Sequence, residues 1–204
     1  MNNGSGLRVV LWLSGCDHKC NGCQNPQTWD VNSGIPFDEK AKEELFRELD
    51  KDYISGLTLT GGDPLHPLNL DGVLNIVTEF NKRYRTTQDI VLNKDNDHNM
   101  LNENVNKIRL LLPTKTIWLY TGYDFNHIMH WTQEQYDVDV HNNFRLTNTE
   151  YLRQQIISMC DVLVDGQYID SKRDVSLRWR GSSNQRVIDI KESLKRNEVV
   201  LYCE

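Results

Sequence analysis

Cys16-Asp17-His18-Lys19-Cys20-Asn21-Gly22-Cys23 places three thiols within eight residues, and the reading of this stretch decides the rest. An apolar run precedes it and a polar loop follows it, so the three side chains can turn inward on one metal centre once deprotonated. Three cysteines do not complete a tetrahedral thiolate set, and closed structural zinc sites use four protein ligands. An iron-sulfur cube normally takes four thiolates, one per iron. A three-cysteine loop would therefore leave one iron open to a small molecule. Two plainer readings stand beside this one. The first is a zinc knuckle whose fourth ligand is His18 or a residue elsewhere. The second is a chance cluster of structural cysteines, which are usually dispersed in cores.

Working outward, Leu7 to Leu13 reads Leu-Arg-Val-Val-Leu-Trp-Leu between Gly6 and Ser14-Gly15, and predicts a buried strand that delivers the cysteine loop at its C-terminal end. Gln24 to Trp29 is a polar turn closing on an aromatic, with Trp29 as a packing lid. From Asp38 to Tyr53 the residues Ala41, Leu45, Leu49 and Tyr53 recur every fourth position and predict a helix. Leu57 to Thr60 predicts a second strand ending in Gly61-Gly62-Asp63-Pro64, and Leu70, Val73, Val77, Phe80 and Tyr84 mark a second helix over 70–84. This βαβα order predicts a parallel sheet with helices packed against it.

Further on, Thr116 to Tyr120 predicts a strand ending in Thr121-Gly122-Tyr123, Thr149 to Met159 a helix, and Asp161 to Val164 a strand running into Asp165-Gly166. Lys191 to Arg196 suits a helical turn and Val199 to Tyr202 a last strand. Residues 86–115 and 124–148 read as insertions in a single domain spanning 1–204, because 93–106 holds six Asn, two Asp and one Glu, a solvated composition. Each predicted strand ends in something chemically marked, and ligands gather at the C-terminal edge of such strands in open α/β sheets and barrels alike. One site can collect all four ends.

Composition narrows the classes. The 204 residues carry a net charge of −6 without an extended basic block, which argues against nucleic acid as a partner. No apolar run approaches the ~20 residues of a membrane helix, and the first residues lack the pattern of a signal peptide. Five cysteines, three of them clustered, suit a reducing compartment and a metal site more than a disulfide framework. A cytoplasmic location is expected, with Cys160 and Cys203 as incidental or buried thiols.

Cys-x3-Cys-x2-Cys at the end of a first strand resembles the signature of the radical S-adenosylmethionine enzymes. The surrounding Arg8 to Trp29 is similar to the small activating proteins of anaerobic ribonucleoside-triphosphate reductase, as is Trp-Arg-Gly-Ser-x-Asn at 179–184. The resemblance implies an α/β fold, an incomplete (β/α) barrel of radical S-adenosylmethionine type, open at the side, with a mostly parallel sheet. It implies a four-iron four-sulfur (4Fe-4S) cluster on Cys16, Cys20 and Cys23, whose open iron binds the amino and carboxylate groups of S-adenosylmethionine. Backbone contacts to the adenine are implied at Gly22, Cys23 and Gln24, and contacts to the amino end at Gly61, Gly62 and Asp63. Glycine lets the backbone approach closely there, and Asp63 offers an acceptor to an ammonium. Gln24 departs from the aromatic or histidine common at that place.

The implied reaction is reductive cleavage to methionine and a 5'-deoxyadenosyl radical, which abstracts hydrogen from a backbone glycine of the anaerobic reductase. The implied partners are that reductase and a low-potential electron donor such as flavodoxin. An activator of another glycyl-radical enzyme, a radical enzyme acting on a small molecule, and a zinc-binding adaptor are the alternatives. Asp165 is open between binding the ribose, orienting a partner and being a solvated turn carboxylate, and Arg178, Arg180 and Arg186 between a carboxylate or partner-protein site and a solvated face.

Overall fold

In the computed structural model, which describes residues 3–91, 107–113, 115–129 and 148–202, the run ahead of the cysteine loop is strand β1 (Arg8–Leu13). It pairs in parallel with β2 (Gly56–Gly61), Arg8 opposite Gly56 and Leu13 opposite Gly61. Between them runs helix α1 (Glu39–Leu49), whose first turn is capped by Asp38 accepting from the Ala41 N–H at 2.9 Å. The helix stops four residues short of the expected Tyr53. The Ile54 N–H turns back to the Lys51 carbonyl at 3.0 Å, which redirects the chain into β2 and leaves Tyr53 exposed.

Helix α2 (Leu70–Tyr84) matches its predicted span. It is followed by β3 (Arg85–Val91) and β4 (Lys107–Pro113), which among the described residues pair with each other alone, antiparallel. These two strands were not anticipated, because the polar composition of their neighbours hid the β-forming residues Thr86, Thr87, Ile90 and Val91. The Asn-rich stretch 93–106, most of the second expected insertion (130–147), and Cys203 lie outside the described residues.

The main sheet continues with β5 (Thr116–Tyr120) parallel to β2 and β6 (Val162–Asp165) parallel to β5. The short helices α3 (Phe125–Met129) and α4 (Asn148–Ser158) lie between β5 and β6 in sequence. Strand β7 (Arg186–Asp189) closes the far edge antiparallel to β6, Leu163 opposite Ile188. It hands over to α5 (Ile190–Arg196), capped by Asp189 accepting from the Glu192 N–H at 3.0 Å. The expected last strand shrinks to a bridge between Ile188 and Leu201.

Strand order is β1-β2-β5-β6-β7. Each parallel crossover steps the same way, unlike a doubly wound sheet, whose order reverses, and right-handed crossovers then put the helices on one face. Leu57, Leu59, Ile117, Leu119 and Leu163 alternate onto that face and pack with Leu49, Val77, Phe80, Ile156 and Ile157. Trp118, Val162, Val164 and Val187 form a smaller cluster on the other face, with Tyr120 and Trp179 against it. The result is the expected partial barrel with a mostly parallel sheet. Because β1 is a terminal strand of this sheet, its residues are partly exposed, not buried on both sides as its sequence alone implied. Among the described residues no helix is long and apolar enough to cross a membrane.

Candidate metal centre and cofactor site

The ends of the four parallel strands are tied into one ring. At its root, the Gly62 N–H donates to the Leu13 carbonyl and the Asp63 N–H to the Gly15 carbonyl, each at 2.7 Å. A Cβ on Gly62 would stand 2.5 Å from the Gly15 oxygen, so only glycine lets these backbones lie together. The polar turn after the cysteines folds back on the same root, with the Gly15 N–H on the Thr28 carbonyl (2.8 Å) and the Cys16 N–H on the Trp29 carbonyl (3.0 Å).

Asp63 then reaches the other strands. One carboxylate oxygen accepts from the Leu65 N–H (2.8 Å), the other from the Gly122 N–H (2.9 Å), and the Thr121 hydroxyl lies within 3.0 Å of both. His18, in the middle of the cysteine loop, sets its Nε2 2.8 Å from Asp63 and its Nδ1 3.0 Å from the Gln167 side-chain amide. Its ring meets Tyr123 edge-on at 4.6 Å. The Gly166 N–H donates to the Tyr123 carbonyl at 3.1 Å. The loop after β1 is thereby fastened to the ends of β2, β5 and β6.

Cys16, Cys20 and Cys23 are free thiols, each partly buried. The Cys23 N–H turns back to the Cys20 carbonyl at 3.1 Å, and the Asn25 N–H points at the Cys23 Sγ at 3.4 Å. Gly22 sits at φ +73°, with the Asp170 carboxylate 2.6 Å from where a Cβ would be, so this turn requires glycine. Burial pushes the Cys16 and Cys20 thiols above their ordinary range, and the negative charge of Asp63 adds to both.

Among the described residues no three His, Cys, Asp or Glu side chains converge on a point where one ion would be held. A cube asks for a different arrangement, one thiolate on each of several irons, and three free thiols on an eight-residue loop supply that donor set. His18 does not serve as the fourth ligand of a zinc knuckle, since both its ring nitrogens are engaged by protein.

Beside the third cysteine, Cys23, Gln24, Trp12, Tyr120, Trp179 and Arg180 line a cavity of about 390 Å3 on the face away from the helices. The Tyr120 hydroxyl is buried and has no hydrogen-bond partner among the described residues, and burial holds the phenol protonated. An orphaned donor in a partly aromatic cavity next to the cysteine loop fits a polar ligand with an aromatic part, as S-adenosylmethionine is. A larger groove of about 570 Å3 lies across β1, α1 and α2, lined by Ile35, Phe37 and Leu68; it reaches none of the three cysteines.

Other readings resolve differently. Asp165 is neither a ribose ligand nor a solvated turn residue, because it is buried, paired with Arg186, and accepts from the Phe125 N–H at 2.9 Å. The three arginines do not act together. Arg186 belongs to Asp165 and Asp124, Arg180 donates to the Gln185 carbonyl at 3.1 Å, and Arg178 is exposed. His66 is buried, with its Nε2 3.1 Å from Asp17 inside the cysteine loop. No spacing in the sequence announces that pair.

A partial barrel whose mouth carries three free thiols on one loop defines a single-cluster iron-sulfur domain. The profile of the family described as "4Fe-4S single cluster domain" matches residues 2–104 and 93–188. The chain is 33% identical over 187 residues to the anaerobic ribonucleoside-triphosphate reductase-activating protein of Escherichia coli (strain K12), an alignment covering 91% of this chain and 90% of the relative. The activating protein of Pasteurella multocida is 34% identical over 185 residues (90% of this chain, 87% of the relative). That of Enterobacteria phage T4 is 34% identical over 185 residues (91% and 85%). The chain belongs to the family of anaerobic ribonucleoside-triphosphate reductase-activating proteins. No solved structure matches it.

Proposed function

We propose that this chain activates an anaerobic ribonucleoside-triphosphate reductase by radical S-adenosylmethionine chemistry. The observation that carries the reading is the tying of the three-cysteine loop, through His18 and Asp63, to the ends of β2, β5 and β6. Cys16, Cys20 and Cys23 would hold a four-iron four-sulfur cluster and leave one iron to the cofactor. Together, the bound cluster and S-adenosylmethionine supply one-electron cleavage to methionine and a 5'-deoxyadenosyl radical, which takes a hydrogen atom from a backbone glycine of the reductase.

The protein's own part is to bind, orient and exclude water. The backbones of Gly61 and Gly62 receive the amino end of the cofactor beside the loop root. Asp63, with both oxygens already accepting from neighbours, fixes that turn in place. Cys23 and Gln24 line the cavity and, with Gly22 beside them, offer backbone groups to the adenine. Trp12 and Trp179 wall the cavity, and the Tyr120 hydroxyl, without a partner among the described residues, donates to whatever polar group enters. A low-potential, flavodoxin-like protein delivers the electron, in a reducing cytoplasm where free thiols persist.

The test is purification without oxygen, reconstitution with iron and sulfide, and low-temperature spin resonance after reduction, with and without S-adenosylmethionine. The expected result is a reduced four-iron signal that changes on adding the cofactor, followed by a glycyl-radical signal when the reductase is present. A colourless protein holding zinc and giving neither signal would sink the reading.

A further inference from the structure

Buried polar groups in a folded chain are nearly always hydrogen-bonded, and a buried hydroxyl without a partner costs free energy. Tyr120 carries such a hydroxyl: it is shut from solvent and meets no partner among the described residues. The residue ends β5 and turns onto the face of the sheet away from the helices, against the cluster of Trp118, Val162, Val164 and Val187. There it lines the cavity of about 390 Å3 beside Cys23. Other polar side chains of that wall are spent on the protein itself. Tyr168 donates to Asp170 at 2.9 Å and Arg180 to the Gln185 carbonyl at 3.1 Å. The Gln185 side chain accepts from the Gly181 N–H and donates to the Gly166 carbonyl, each at 2.9 Å. Arg8, whose charge reaches the phenol, gives its donors to Thr58, Thr116 and the Leu57 carbonyl.

The polar groups of S-adenosylmethionine can be matched to the site one by one. In the function proposed above, its amino and carboxylate groups go to the open iron and the glycine turn after β2, and its adenine to the backbone at Gly22, Cys23 and Gln24. The ribose hydroxyls are left over. Asp165, the ribose candidate of the sequence, is taken by Arg186 and the Phe125 N–H. We propose that the Tyr120 hydroxyl is the ribose-recognising donor of this cavity, left unpartnered by the protein so that a ribose hydroxyl of S-adenosylmethionine completes it. This rests on the function proposed above.

A donor whose partner is the ligand has a signature that a structural residue lacks. Removing it relieves the protein of an unsatisfied buried group and takes a hydrogen bond from the complex. Stability without the cofactor is then kept or gained while affinity for the cofactor is lost. Functional sites hold residues on such terms, at a cost in stability that binding recovers. The role asks for a hydroxyl and not merely a ring, so phenylalanine keeps the wall and loses the recognition.

The test is Tyr120→Phe in the full chain. In the cluster-free protein its denaturant midpoint is expected to equal or exceed that of wild type. In protein reconstituted without oxygen and matched for iron, equilibrium dialysis is expected to show S-adenosylmethionine bound roughly two- to tenfold more weakly. Analogues lacking the 2'- or the 3'-hydroxyl of the ribose identify the group. For one of them, the affinity that wild type loses relative to the parent cofactor is expected to shrink in Tyr120→Phe, as it does for two partners of one bond. A lowered midpoint or a failure to fold overturns the proposal, because the hydroxyl then has a structural partner. Unchanged affinity for S-adenosylmethionine, or losses on removing each hydroxyl that are equal in wild type and variant, overturn it as well. Wild type that holds iron but binds no S-adenosylmethionine defeats the functional reading itself, whereas normal wild-type binding with an indifferent variant defeats only this inference.

Discussion

At the scale of residues, thiols and charges are sorted by what surrounds them. Cys160 is fully buried, its Sγ 3.2 Å from the Ile156 carbonyl, and burial drives its thiol far above the ordinary range. Iodoacetamide on the native, cluster-free protein is therefore expected to label Cys16, Cys20 and Cys23 and leave Cys160 unmodified. Peptide mapping reads this directly, and early labelling of Cys160 would contradict its burial. Arg186 gives a second prediction. Arg186→Leu leaves Asp165 buried with only the Phe125 N–H described beside it, and stranding a buried charge costs about 3–5 kcal/mol. A denaturant midpoint within error of wild type would refute that. The three clustered thiols were legible because they are neighbours in sequence. The pairs His18 with Asp63, Asp17 with His66 and Asp165 with Arg186 were not, since each joins positions that only the fold brings together.

At the scale of elements, the strand ends are set by glycine as much as by the acid they surround. A Cβ on Gly122 would stand 2.4 Å from the nearest carbon of the His18 ring, and that ring cannot step aside while Asp63 and Gln167 hold both nitrogens. Gly122→Ala is expected to expel His18, loosen the cysteine loop and lower the iron retained after desalting, by several-fold against wild type, while far-ultraviolet circular dichroism stays unchanged. Equal iron retention would show that the loop does not depend on the His18 contact. Helices and parallel strands were readable where burial imposes a period: α2 and β5 match their expected spans. Where burial is one-sided or absent, the period fades. The last turn expected of α1 and the reduction of the final strand to a bridge fall in such places.

At the scale of the whole molecule, the architecture follows from a chain that keeps stepping in one direction, β1 to β2 to β5 to β6, before β7 turns back. Every chemically marked segment thus arrives at the same rim, and this convergence was legible from the order of elements alone. The closure of the rim was not, because it runs through side chains 45 to 149 positions apart. The timing of that closure matters during synthesis. The three thiols leave the ribosome long before residue 167, whose amide finishes holding their loop. A nascent chain therefore carries ligands long before it carries a seat for them. Productive iron-sulfur loading belongs after translation, and fragments released early would display exposed thiols prone to scavenging stray metal or oxidising.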